Sequence, residues 1–421
     1  MTPTRVRYSI VALAVLLNVV SYTDRACISV VGPQLRGAFG LSPTQLGLVF
    51  GSFSLAYALM QAPWGALADR KGARGIVAFA IVWWSAFSAL TAAAWSLATL
   101  LVVRFLFGAG ESALSPAVAS AFGRWVPVRE RATAFGAFLG GGRLGGAVAP
   151  PIAAFLVAQF GWRAVFLSFA LAGLPVALLW ARCFREDPRV HPRVNDAEAA
   201  LIEQGRREDA PRPGSLLMSR RLLCLLAVSF GYTFMWQFYI TWFPTYLTEG
   251  LGLGLGEASF YAGLPFALGV AANWAGGLLT DLLSRRVNPR FARTIVGFGG
   301  LLGSALLLAV GTRVADARAA ALLIALAAFA GDLSLGAGWS SALSIGGRSG
   351  GAVAGLMNSA SNVGGFLSPV LLGWSLQVSQ DWTSVLTLAV AANAIAALFW
   401  LGVNPGWCRW CPDPHQENLP L

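Results

Sequence analysis

Six ionisable side chains lie inside stretches otherwise too apolar to hold them: Asp24, Arg25, Arg104, Glu111, Arg143 and Asp332. An ionised side chain at mid-membrane depth costs about 2.5–3.5 kcal/mol on insertion scales, so such residues face a bundle interior and are functional by default. The planar fork of arginine holds a carboxylate through two parallel hydrogen bonds, which makes Arg25 or Arg104 the natural anchor for an organic anion. Asp24 and Glu111 are the acids available beside them. An anion that takes over an arginine changes which protonation state of a nearby carboxylate is stable, and this couples a proton to the anion. Arg104 and Glu111 are seven residues apart, so they share one helix face two turns apart, roughly 10 Å along the axis. Asp24 and Arg25 are neighbours on different faces of one helix and are not expected to pair. Histidine coupling within the membrane is excluded, because His191 and His415 lie in a polar linker and a tail.

Arg143 sits among glycines, in Gly140-Gly-Gly-Arg143-Leu-Gly-Gly146. It is a third cationic contact for an anion or the neutralising partner of Glu111 or Asp24. Polar aromatic and amide side chains complete the candidate site: Tyr22, Tyr57 and Gln61, then Tyr232, Gln237 and Tyr239, then Asn358 and Asn362. Such donors and acceptors suit a hydroxyl-rich acid; the plainer alternative is hydrogen bonding between helices. Asp332 reads as the only buried acid of the second half, as a second coupling group or the cap of a broken helix.

The elements that must position these residues are membrane helices. Of 421 residues, 56% are hydrophobic and 12% charged, and the mean hydropathy is +0.64. Soluble domains carry roughly 25% charged residues. With about 20 apolar residues per crossing, twelve segments appear, near 9–31, 44–67, 75–95, 97–121, 133–158, 163–183, 221–247, 258–282, 293–312, 317–340, 351–376 and 383–403. The expected organisation is therefore a six-helix bundle over 1–183, a cytoplasmic linker over 184–220, a second bundle over 221–403 and a tail over 404–421. With the N-terminus inside, the inner segments hold 23 of the 30 basic residues, so the positive-inside rule puts both termini in the cytoplasm. The same placement argues against nucleic acid as the partner of this basic chain; the lipid bilayer is the partner instead. Cys27, Cys183 and Cys224 have no pairing pattern, and Cys408 with Cys411 read as a plain tail rather than a metal or redox site.

An internal repeat supports the division. Gly65-Ala-Leu-Ala-Asp69-Arg70-Lys71-Gly72-Ala-Arg74 stands at the inner end of the second segment, and Gly277-Leu-Leu-Thr-Asp281 at that of the eighth. Gly65 lets helices approach, Asp69 can cap or pair at a helix end, and Arg70 and Arg74 suit an anionic leaflet. This run resembles the loop signature of the major facilitator superfamily. Ser21-Tyr22-Thr23-Asp24-Arg25, Arg104-Phe-Leu-Phe-Gly108-Ala-Gly-Glu111, Trp242-Phe-Pro-Thr-Tyr-Leu247 and Asn358 to Pro369 resemble the anion:cation symporter family within it. Ser21 departs from that family's usual Asn.

The resemblance implies an all-α membrane protein of twelve helices in two pseudo-symmetric bundles, acting as a monomer in a bacterial inner membrane. It implies proton symport of a sugar acid or other carboxylate, with Asp24 and Glu111 taking protons and Arg25 and Arg104 binding or relaying. It also places Tyr57 and Asn362 at the cavity. No cofactor beyond the coupling proton and no metal is expected. Sodium-coupled carriage and proton antiport are the transport alternatives. A sensor would need a larger cytosolic extension, and no H-E-x-x-H or G-x-S-x-G marks an enzyme.

Overall fold

The computed structural model describes residues 2–203, 219–346 and 350–403, and every regular element among them is helical. The first half runs through α1 (Val6–Val30), α2 (Gly32–Phe39), α3 (Pro43–Lys71), α4 (Ala73–Ala92), α5 (Leu97–Glu111), α6 (Leu114–Trp125), α7 (Val128–Phe160) and α8 (Trp162–Cys183). A 3-10 turn at Pro188–Val190 and α9 (Asp196–Glu203) follow. The second half comprises α10 (Arg220–Thr241), the short turn α11 (Phe243–Thr245) leading into a π-turn at Tyr246–Gly250, α12 (Leu255–Ser284), α13 (Pro289–Gly311), α14 (Ala317–Asp332), α15 (Ser334–Gly346), α16 (Gly350–Ser379) and α17 (Trp382–Val403). Lipid offers no partner for backbone amides, which is why helices carry every crossing. Among the described residues, eleven spans are long and apolar enough to cross a membrane; the twelfth expected segment is α16, 30 residues long.

Helix ends carry the capping chemistry that a short loop needs. Ser42 and Gln45 form a reciprocal capping box before α3, and Ser96 with Thr99 does the same before α5. Asp316 caps α14 through the Ala319 amide.

Besides the 221–247 segment, which divides after Thr241, two crossings are broken immediately after a buried acid. The segment 97–121 divides into α5 and α6 after Glu111, and 317–340 divides into α14 and α15 after Asp332. Side chains satisfy the carbonyls that a break leaves over. Ser112 Oγ and Trp64 Nε1 donate to the Ala109 carbonyl at 2.8 and 2.7 Å, and Ser334 Oγ donates to Gly331 at 2.7 Å. Apolar periodicity does not register such breaks, because both pieces keep the same buried face.

Buried apolar side chains form one cluster shared by the two halves and two clusters confined to one half each. The shared cluster joins Val31, Leu35, Leu46 and Phe50 to Trp236, Trp242, Phe243 and Phe266, at the end of the bundle far from the chain termini. The other two lie toward the terminal end: Leu17, Trp84, Phe122 and Trp180 in the first half, and Leu225, Leu301, Met357 and Trp400 in the second. The halves are thus fastened at the distal end. Arg36 pairs with Glu249 at 2.7 Å there, and the Phe50 and Trp242 rings meet edge-on at 5.7 Å. Glycine-rich α7 lies between α1 and α12. A Cβ at Gly145 would strike the Val19 backbone, and one at Gly146 the Phe266 ring, so small residues here permit the helix approach that membrane bundles rely on.

At the terminal end, α9 closes over the start of α1. Glu198, fully buried, accepts from the Val6 and Arg7 amides and from Arg7 Nη1, each at 3.1 Å. Arg7 Nε also pairs with Glu130 at 2.9 Å and holds the Glu130 carboxyl below its usual range.

Candidate functional site

The geometry centres on α1. Arg25 reaches across to the end of α5, where its Nε and Nη2 donate to Glu111 Oε1 at 3.1 and 2.5 Å. Ser21, one turn earlier on α1, donates to the same oxygen at 2.7 Å. A smaller hydroxyl at this position therefore still supplies a donor, directed at the carboxylate. Three aromatic rings surround the guanidinium of Arg25: Tyr22 at 4.5 Å, Phe53 at 4.8 Å and Tyr57 at 5.0 Å from its central carbon. Each such cation–π contact attracts the guanidinium by about 0.5–2 kcal/mol, independently of its carboxylate partner. Glu111 is buried to 1% exposure, and its Oε2 has no hydrogen-bond partner.

Asp24 occupies the other face of α1, as expected for a neighbour of Arg25. It is fully buried and accepts from Ser88 Oγ of α4 at 3.2 Å, while its second oxygen is unpartnered. Arg104 is buried to 1% exposure, with its Nε and Nη1 unpartnered. It lies over the Phe107 ring at 4.4 Å and shares Phe53 with Arg25, at 5.7 Å. The arginines of α1 and α5 thus share the Phe53 ring, which sequence reasoning passed over. An aromatic on a helix otherwise rich in Phe, Leu and Val has no distinguishing signal. Ser88 was missed for the same reason: small hydroxyls abound in membrane helices.

Arg143 meets neither Glu111 nor Asp24. Its Nη2 lies 2.9 Å from Asp332 Oδ2 and donates to the Tyr232 hydroxyl at 3.0 Å. Asp332 closes α14 in sequence, but its carboxylate is not spent on capping: Oδ1 accepts from Tyr232 at 2.6 Å. The Trp236 ring stacks on the guanidinium at 3.4 Å, another contact that no sequence pattern announced.

Gln61 joins the halves as well. Its Oε1 accepts from Asn358 Nδ2 at 2.7 Å and from Asn362 Nδ2 at 3.4 Å, both on α16. Tyr57 shares a hydrogen bond of 3.3 Å with Ser115 on α6. Tyr239 donates to the Ile324 carbonyl at 2.9 Å, and Gln237 is buried on α10.

In the repeated loop, Gly65 packs beside Pro116 and Gly72 adopts φ +89° between α3 and α4, a backbone conformation that favours glycine. Glu186, beyond α8, accepts from the Arg74 amide and from Arg124 Nη1, each at 2.6 Å. Arg70 and Asp281 are exposed. The Asp69 side chain, Cys408 and Cys411 lie outside the described residues. Cys27, Cys183 and Cys224 are free thiols, and among the described residues no cluster has the makings of a metal site.

Two helical halves built of apolar spans and enclosing buried charges have the architecture of a polytopic membrane protein. The chain belongs to the Major Facilitator Superfamily, whose sequence pattern it matches over residues 14–369. It is 35% identical to the probable sulfoacetate transporter of Cupriavidus necator, with 99% of this chain and 98% of that one aligned. It is 31% identical to the probable galactarate/D-glucarate transporter of Bacillus subtilis, over 94% of this chain and 91% of the other. The hexuronate transporter of the same organism is 31% identical over 91% of each chain. Among solved structures, a bacterial homolog of the human lysosomal transporter Spinster in an inward-facing, occupied conformation superposes with a TM-score of 0.79 at 21% identity, covering 98% of this chain and all of that one. A D-xylose-proton symporter gives 0.72 at 17% identity over 93% and 97%. These structural likenesses concern the fold alone.

Proposed function

We propose that this chain is a proton-coupled symporter that imports a small organic anion across a bacterial inner membrane. The observation that carries the reading is the pairing of Arg25 with the buried Glu111, in which one acidic oxygen takes three donors and the other takes none. A substrate carboxylate competes with Glu111 for the Arg25 fork. Once displaced, Glu111 is a buried carboxylate without its counter-ion, a state costing several kcal/mol. A proton removes that cost, so occupancy of Arg25 by an anion and protonation of Glu111 favour one another. Arg104, over Phe53 and Phe107, and Asp24, held by Ser88, supply a second arginine and a second acid that are not paired with each other. Tyr22, Tyr57, Gln61, Tyr232, Gln237, Asn358 and Asn362 supply hydroxyl and amide groups for the rest of the ligand.

With the basic terminal face in the cytoplasm, the distal fastening closes the carrier to the outside, and substrate leaves toward the terminal end. The named relatives carry organic acids, which supports the same substrate class. The test is uptake by proteoliposomes of sulfoacetate, glucarate and glucuronate under an imposed proton or sodium gradient. Accumulation of at least one acid driven by an inward proton gradient is expected. Accumulation driven by sodium and indifferent to pH overturns the proton assignment, and transport of none overturns the anion assignment.

A further inference from the structure

The first half's Arg25–Glu111 site has a counterpart in the second half that draws its arginine from across the interface. The helix α5 ends in Ala109-Gly110-Glu111, and α14 ends in Ala330-Gly331-Asp332. Each helix breaks after its acid, and a serine just beyond donates to a carbonyl three residues back. Each acid accepts from a hydroxyl of the first helix of its own half, Ser21 on α1 or Tyr232 on α10. Each also faces an arginine cushioned on aromatic rings. Arg25 comes from the same half as Glu111, whereas Arg143 reaches Asp332 from α7 of the opposite half.

The second cluster is built to exchange its partner. Arg143 Nη1 is buried without a hydrogen bond, and Trp236 covers one face of the guanidinium at 3.4 Å. The arginine thus keeps a seat when the carboxylate leaves. Gly269 on α12 leaves the space beside the pair: a Cβ there would come within 3.5 Å of Arg143 and closer to Asp332. Tyr22 connects the two sites, because its ring packs on Gly142, next to Arg143, and also lies under Arg25.

We infer that Arg143 is the subsite for a second acidic group of the substrate, so that the carrier selects dianions, with one acid on Arg25 and the other displacing Asp332 from Arg143. The inference rests on the proposed anion symport and extends it. Among the described residues, three arginines in the spans, Arg104 and Arg143 buried and Arg25 largely so, balance the three buried carboxylates Asp24, Glu111 and Asp332. Each acidic group that claims an arginine leaves one protein carboxylate uncompensated in low dielectric. A dianion therefore enters with two protons, one on Glu111 and one on Asp332, and the interior stays neutral. The groups that face Asp332 are Arg143 of α7 and Tyr232 of α10, with Tyr239 of α10 farther off.

The test compares acids that differ by one charge, glucarate against gluconate and sulfoacetate against acetate, by thermal-shift binding and proteoliposome uptake with proton flux recorded. Wild type is expected to bind a dianion at least about tenfold more tightly than its monoanionic partner, the scale of one charge-assisted hydrogen-bonded pair. It should carry two protons per dianion. The double variant Arg143→Gln/Asp332→Asn keeps the interior balanced and leaves no lone buried ion. It is expected to lose the preference and to carry one proton per dianion. A double variant that keeps wild-type preference and stoichiometry would show the pair to be a fastening between halves, overturning the inference. Wild type that carries both acids of a pair equally also overturns it while leaving anion symport standing. Wild type that binds and carries none of the four overturns the underlying reading as well.

Discussion

Replacing Arg25 by lysine keeps the charge and removes the fork. In the structure Arg25 places two N–H donors on one Glu111 oxygen and lies within 5.0 Å of three aromatic rings. A lysine ammonium offers a single point of contact in that direction, and its hydrated charge stacks less well on aromatic faces. Losing one charge-assisted hydrogen bond costs about 1.5–3 kcal/mol, and weakened ring contacts add about 0.5–1 kcal/mol. The combined loss of roughly 2–4 kcal/mol corresponds to anion binding weaker by about 30-fold to several hundred-fold. Thermal-shift titration with the transported acid, alongside the KM for uptake, measures it. Because charge is conserved, the variant should fold and reach the membrane. Affinity within threefold of wild type would refute the assignment of Arg25 as the anchor.

The linker clamp gives two further expectations. Glu198→Ala removes a fully buried carboxylate that serves four donors from Thr4 to Arg7; we expect a loss of about 2–4 kcal/mol, read as a lower Tm in detergent, with substrate KM unchanged. Glu130 has a folded pKa lowered by Arg7, so its contribution is complete above the ordinary glutamate value of about 4.3 and fades as pH falls through the lowered one. The Tm difference between wild type and Glu130→Gln should therefore shrink on acidification below pH ~4, and a difference that grew instead would contradict the pairing.

Much of the fold was legible because lipid permits few alternatives. Long apolar runs have to be helices, and the placement of Lys and Arg separates one face from the other. The gathering of Arg25, Glu111, Arg104 and Asp24 followed from the same economy: buried charges must find one another. Partner choice was harder to read. Arg143 was legible as an interior cation, but its pairing with Asp332 depends on how α7 lies against the second half, and no local spacing records that contact. The break after Glu111 was hidden because Ser112 and Trp64 repair it without altering the apolar pattern, and the one after Asp332, open in the sequence as one alternative, is repaired by Ser334. Gln61, Asn358 and Asn362 read as cavity groups, and the structure joins them to one another across the halves. Their amides can hold the halves together and still turn to a ligand.

The central claim is that anion binding and protonation meet at Glu111. Glutamine at position 111 keeps the shape and cannot exchange a proton. In proteoliposomes loaded with the transported acid, Glu111→Gln should exchange internal for labelled external substrate at equal pH, because exchange needs no deprotonation. The same vesicles should fail to accumulate substrate under an inward proton gradient. Gradient-driven accumulation at the wild-type level in Glu111→Gln would contradict the account.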